Sequence, residues 1–197
     1  MVDVSEIEKK GMQMIADFKA IADILDSDNA ILNANLHDGK DTGFWRRSSV
    51  RAFFADVEAI MFYFRNKIIY DHETGENKLS LENYVMAMGL GFRVNDKGEA
   101  ESYDAKVKTG SNFLFTIKLA WAGLGNPCPI DTSGKDWSNF KASMLIRDRI
   151  THPKCPRDLE ILDNEQEMII SVGNWFASLM KQYAIESDKK IATLRPT

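Results

Sequence analysis

Cysteine is nearly missing from this chain of 197 residues: Cys128 and Cys155 are the only two, and they form no CxxC pair. That scarcity excludes a disulfide-stapled secreted scaffold and a zinc ribbon, and it points to a cytoplasmic protein. Positive charge is also short. With 25 Lys plus Arg against 29 Asp plus Glu, the net charge is -4 and the pI about 5.5, so the chain is not a broadly basic nucleic-acid coat. Long apolar runs are lacking too: the longest, Phe113 to Gly125, is broken by Lys118 and is too short to span a bilayer. No membrane association is expected. The N-terminal stretch MVDVSEIEKKGMQMIADF is acidic and helical in pattern, without the basic start and apolar block of a signal peptide. There is no repeat at a solenoid period, and the glycines at 89, 91, 123 and 125 follow no strand and precede no GK[ST], which excludes a dinucleotide fingerprint and a P-loop. His37 and His72 stand beside Asp38 and Asp71 in polar segments, but no ligand cluster at fixed spacing accompanies them. Neither a metal nor another cofactor is expected.

What is present is helical periodicity. At 44% hydrophobic and 27% charged residues the chain has the composition of a soluble globular domain, read as one domain over 1–197 with a flexible tail over about 187–197. Ile7, Met14, Phe18, Ile21 and Leu25 share one face of a first helix, which Asp26-Ser27-Asp28-Asn29 can interrupt and HDGKDTG at 37–43 ends. From Phe44 to about Tyr70, Val50, Phe53, Phe54, Val57, Ile60, Met61, Phe64 and Ile68 recur at helical spacing with no Gly or Pro between them. The stretch His72 to Asn77 reads as a loop. Ser80 is the N-cap of a short helix closed by Gly89 and Gly91, and residues 92–104 form a loop or a hairpin around Asn95-Asp96-Lys97-Gly98. Further helices are predicted over about 106–124, 137–151 and 159–183, the last with a seam of Leu162, Gln166, Ile169, Gly173, Phe176, Met180 and Tyr183. Trp45, Trp121, Trp137 and Trp175 fall on or near apolar stripes and belong to a core or dimer interface. The class is all-α, an up-and-down bundle counted as four long helices plus one short helix, with the 92–104 segment as a loop or hairpin insertion.

One helix carries chemistry. Steps of three and four from Trp137 pass through Phe140 and Met144 to Arg147 and Thr151, so an apolar stripe runs into an arginine. An unpaired buried guanidinium is costly, so Arg147 must meet an acidic or carbonyl partner, reach water, or face a cleft built for an anion. His152 lies five positions on, roughly 140° around an ideal helix. Pro153 disfavours helical backbone at His152, which frees the imidazole to turn back toward the arginine. An imidazole exchanges protons near neutral pH, and an arginine stabilises the charge that builds on a phosphorus centre.

The run Arg147-Asp148-Arg149-Ile150-Thr151-His152 resembles the motif of the HEPN superfamily (higher eukaryotes and prokaryotes nucleotide-binding domains), an arginine followed after four to six residues by a histidine. It is similar to the prokaryotic form in which a polar residue, here Asp148, follows the arginine. The likeness covers about Met144 to Lys154 and otherwise rests on helix order. It implies a helical bundle that dimerises so that two motifs share a cleft and cut RNA without a metal. His152 would then activate the ribose 2′-OH or protonate the leaving oxygen, Arg147 would hold the scissile phosphate, and Asp148 would orient the motif. Toxin–antitoxin, phage-defence and stress systems are the implied setting, with an antitoxin protein as a possible partner.

Around the motif, Arg149, Lys154 and Arg157 supply local positive charge, which serves RNA approach under the nuclease reading and is otherwise surface charge. Arg46, Arg47 and Arg51 open the second helix, with Arg47 and Arg51 one turn apart as candidate phosphate contacts or else a solvated face, although cations at a helix N-terminus oppose its dipole. Cys155, between Lys154 and Pro156, reads as a bystander thiol. The competing reading is a non-catalytic helical module for nucleotide binding or protein interaction, in which Arg147 makes an ion pair and His152 merely ends a helix.

Overall fold

In the computed structural model, which describes residues 4–37 and 42–194, the chain is predominantly helical. The elements are α1 (Val4–His37), α2 (Thr42–Thr74), α3 (Leu81–Ala87), strands β1 (Leu90–Val94) and β2 (Ala100–Asp104), α4 (Thr109–Gly123), α5 (Lys135–Thr151), a 3-10 turn (Pro156–Leu159) and α6 (Asp163–Leu194). Five long helices and one short one are thus found among the described residues, one long helix more than counted from the sequence. α1 runs unbroken through Asp26–Asn29, because residues of low helix propensity cost only about 0.7 kcal/mol each and a long helix absorbs them. α2 continues past Tyr70 through His72 to Thr74, where Gly75 turns the chain with a φ of 81°. α6 also extends beyond the predicted Tyr183, to Leu194, so most of the expected tail is helical; residues 195–197 lie outside the described part.

The chain divides into two compact units. The first comprises the beginning of α1, up to Lys19, and Ile60–Cys128. Its buried residues include Met61, Phe64 and Ile68 of α2 together with Phe113, Ile117, Ala120 and Trp121 of α4. Phe18 of α1 stacks on Tyr63 with ring centroids 4.0 Å apart. Ser80 caps α3 as expected, its hydroxyl accepting from the Asn83 N–H.

The hairpin is a true strand pair. β1 and β2 are antiparallel, with Gly91 opposite Tyr103 and Arg93 opposite Glu101. The Asn95 side chain accepts from the N–H groups of Lys97 and Glu99, and Gly98 takes a φ of 78° to close the turn. Tyr103 lies over Gly91 so closely that a Cβ there would come within 2.6 Å of the ring. On the opposite face Phe92 and Val94 are exposed.

The second unit holds Ala20–Ala59 and the chain from Pro129 onward. Its core is an aromatic cluster in which Phe140 of α5 contacts Trp137, Phe54 and Trp175, and Phe53 meets Phe176 edge-on. The buried face of α6 is Gln166, Ile169, Val172, Phe176 and Leu179, so the predicted seam is right at three positions, while Leu162 is exposed. Trp137 and Trp121 are buried; Trp45 and Trp175 are half-buried.

The stripe of α5 differs from the one expected. Trp137, Phe140, Ser143, Ile146 and Ile150 are buried, so the stripe passes beside Arg147 instead of through it. Ser143 makes this possible: its hydroxyl donates to the Asn139 carbonyl one turn back, which satisfies a polar group inside the core. Reading serine as polar and Met144 as core displaced the expected stripe by one residue.

Candidate functional site

Arg147 lies on the flank of the buried stripe, with its side chain 28% exposed. Its guanidinium donates to Glu58 of α2 through Nη2 and to Asp148 through Nη1 at 3.1 Å. It also lies 5.9 Å from the centroid of the Phe54 ring, within reach of a cation–π attraction. Of the three destinations open to this arginine, two are used together, since acidic partners hold it and water reaches it. Glu58 and Asp148 are themselves 55% and 59% exposed, so the cluster is not sealed in the core. Glu58 was not singled out in the sequence; it lies 89 positions from Arg147, and no local pattern links the two.

His152 is the C-cap of α5. Its backbone leaves the helical region, with φ -124° and ψ 59°, as proline at the next position requires, while its N–H still bonds the Asp148 carbonyl at 3.0 Å. The imidazole is exposed and has no hydrogen-bond partner among the described residues. Lys154 and Arg157 are likewise exposed on the segment that follows.

The remaining arginines have a different environment from the one their spacing suggested. Arg51 donates to the Ile150 carbonyl at 3.1 Å, Arg47 to Leu159 at 3.3 Å, and Arg46 to Ile161 at 3.0 Å. Arg149 donates to the Glu160 carbonyl at 2.7 Å and to the Glu165 carboxylate at 2.9 Å. Arg46 further pairs with Asp163 at 2.6 Å. The oddity of cations at the start of α2 disappears, because they serve the carbonyl end of α5 and the extended link before α6, where negative partial charge collects. A cavity of about 220 Å³ opens here, bounded by Gly43, Arg46 and Arg47 on one side and by Pro156, Leu159 and Glu160 on the other.

Two carboxylates steady the same stretch. Asp158 accepts from the N–H groups of Lys154 and Cys155 at 2.8 and 3.2 Å, and these bonds, Lys154's first, hold its carboxyl below the usual range. Burial pulls Glu165 upward, but the Arg149 hydrogen bond, the Leu162 N–H and the Arg149 charge outweigh it and leave its pKa lowered.

His72 belongs to a different kind of place. Its Nδ1 accepts from the Leu79 N–H at 3.0 Å and its ring lies 4.3 Å from that of Tyr84, so it ties the turn after α2 together. The side chain of His37 lies outside the described residues. Among the described residues no three His, Cys, Asp or Glu side chains gather where they could hold a metal ion, and no helix is long and apolar enough to cross a membrane. Comparison with models of known protein families, with curated proteins and with solved structures gives no match.

Proposed function

We propose that this protein is a metal-independent endoribonuclease of HEPN type, an up-and-down helical bundle working as a homodimer in which two copies of the motif share one cleft. The observation that carries the reading is that α5 presents both an exposed imidazole at its C-cap and, five residues earlier, a part-exposed guanidinium held by two solvent-facing carboxylates. In the reaction the ribose 2′-oxygen attacks the adjacent phosphorus and loses its proton to a base. The 5′-oxygen then leaves with a proton from an acid, and the strand ends in a 2′,3′-cyclic phosphate with no water consumed. His152 serves as base or acid, one from each copy, and Arg147 stabilises the charge gathering on the phosphoryl oxygens. Asp148 and Glu58 fix the direction of the guanidinium, leaving its other N–H groups to meet phosphate.

A second reading has an observation of its own. Glu58 and Asp148 together more than neutralise the Arg147 charge within one chain, which suits a non-catalytic module that binds nucleotides or a protein such as an antitoxin. The two are separated by incubating purified protein with single-stranded RNA in chelator and comparing wild type with His152→Ala and Arg147→Ala. The nuclease predicts cyclic-phosphate ends from the wild type alone. Equal RNA loss in all three, or none in any, sinks it.

A further inference from the structure

We propose that Arg46, Arg47, Arg51 and Arg149 are positioning residues that clamp the segment carrying His152, and that they do not grip RNA. The inference rests on the nuclease reading for its consequence in catalysis. Its physical basis is an accounting of carbonyl groups. The last carbonyls of a helix have no partner within it, and those of an extended link have none at all. In this protein Ile150 belongs to the last turn of α5, and Leu159, Glu160 and Ile161 lead out of the 3-10 turn, with Glu160 in extended backbone. Each of these four carbonyls accepts from one of the four guanidinium groups. Asp163 and Glu165, in the first turn of α6, hold Arg46 and Arg149 in place from the other side.

The segment 151–158 is therefore fixed at both ends, and Asp158 fixes its middle through the Lys154 and Cys155 N–H groups. His152 has no side-chain partner of its own among the described residues, so this backbone alone sets where its Cα stands and the arc its imidazole can reach. Proton transfer needs placement to within about 0.5 Å, and a shift of about 1 Å costs on the order of a hundredfold in rate. Arginine suits the work because it stays charged at every working pH and can donate in several directions at once.

Arg51 and Arg47 give the cleanest test, since each bonds a carbonyl and neither has a carboxylate partner among the described residues. Wild type, Arg51→Ala, Arg47→Ala and Arg51→Lys would be assayed on a single-stranded RNA oligonucleotide over a range of salt. The ring resonances of His152 and His72 would be followed by proton NMR in the same samples. A clamp predicts kcat lower by about tenfold to a hundredfold in the alanine variants, KM and salt dependence unchanged, the His152 resonance shifted or broadened and that of His72 unmoved. Arg51→Lys, which keeps a donor, recovers part of the loss and replaces Arg51→Ala should the latter not fold. An unchanged kcat with raised KM and a salt slope shallower by about 0.7 per contact would make these arginines RNA ligands and overturn the proposal. An unmoved His152 resonance in both alanine variants would overturn it as well. If His152→Ala cuts as well as wild type, the nuclease reading falls, and the resonance alone decides whether the clamp holds His152.

Discussion

His72 and His152 both stand where a helix gives out, one in the last turn of α2 and the other as the C-cap of α5, yet their surroundings are opposites. The His72 ring is spent: the Leu79 N–H binds its Nδ1, and Tyr84, whose hydroxyl donates to Glu73 and is thereby held above the ordinary phenol range, lies against its face. The His152 ring has no partner among the described residues, and the surrounding structure holds the backbone on either side of it. The His72 ring builds structure through what it touches, whereas the exposed His152 ring is the one the proposed nuclease would use for proton transfer.

The largest effect expected from breaking this contrast is on catalysis. His152→Ala is expected to lower RNA cleavage by about 10²–10⁴-fold while leaving thermal unfolding unchanged, as measured by cyclic-phosphate product and calorimetry on one preparation. His72→Ala reverses the pattern: cleavage stays within about twofold, and stability falls by about 2 kcal/mol because a main-chain N–H and an aromatic face lose their partner. Equal behaviour of the two variants would dissolve the distinction.

A smaller change is expected one step along from His72. Gly75 has a positive φ with open space around it, so Gly75→Ala meets strain without a clash. Urea titration should show a loss of about 1 kcal/mol.

The smallest effect sharpens the comparison through pH. Asp158 and Glu165 have folded pKa values below their unfolded ones, so the folded segment binds fewer protons than the unfolded one. Their contribution is complete above the unfolded value, about 4, and is lost as pH falls through the lowered folded values. Amide exchange at Lys154 and Cys155 should therefore quicken below about pH 4 relative to the intrinsic rate. The amides of Lys97 and Glu99, which bond the uncharged Asn95 side chain, should keep their protection.

Much of the fold was legible because it follows from local rules. The α2 stripe, the Ser80 cap and the departure of His152 from the helix before Pro153 each depend on neighbours a few residues away. The α5 stripe was misplaced by a single serine whose hydroxyl finds a carbonyl on its own helix. The strand pair was faint in the sequence because its five-residue strands depend on one another for support. At the candidate site the spacing marks Arg147, Asp148 and His152 but not Glu58, and it offers the arginines of α2 as phosphate contacts or a solvated face without showing their carbonyl partners. Their partners lie about a hundred residues away and are carbonyls, which every residue possesses and no pattern marks.

The hairpin illustrates how an absence can encode geometry. Tyr103 fits against Gly91 only because that position has no side chain. Sliding β1 by one residue would put Leu90 or Phe92 under the ring, where no space exists, and would exchange the two faces of the strand. A single hydrogen atom in place of a side chain thus gives the Tyr103 ring its seat, and a larger residue at position 91 should turn that exposed ring aside while the Asn95–Gly98 turn and the Arg93–Glu101 pair keep the strands in register.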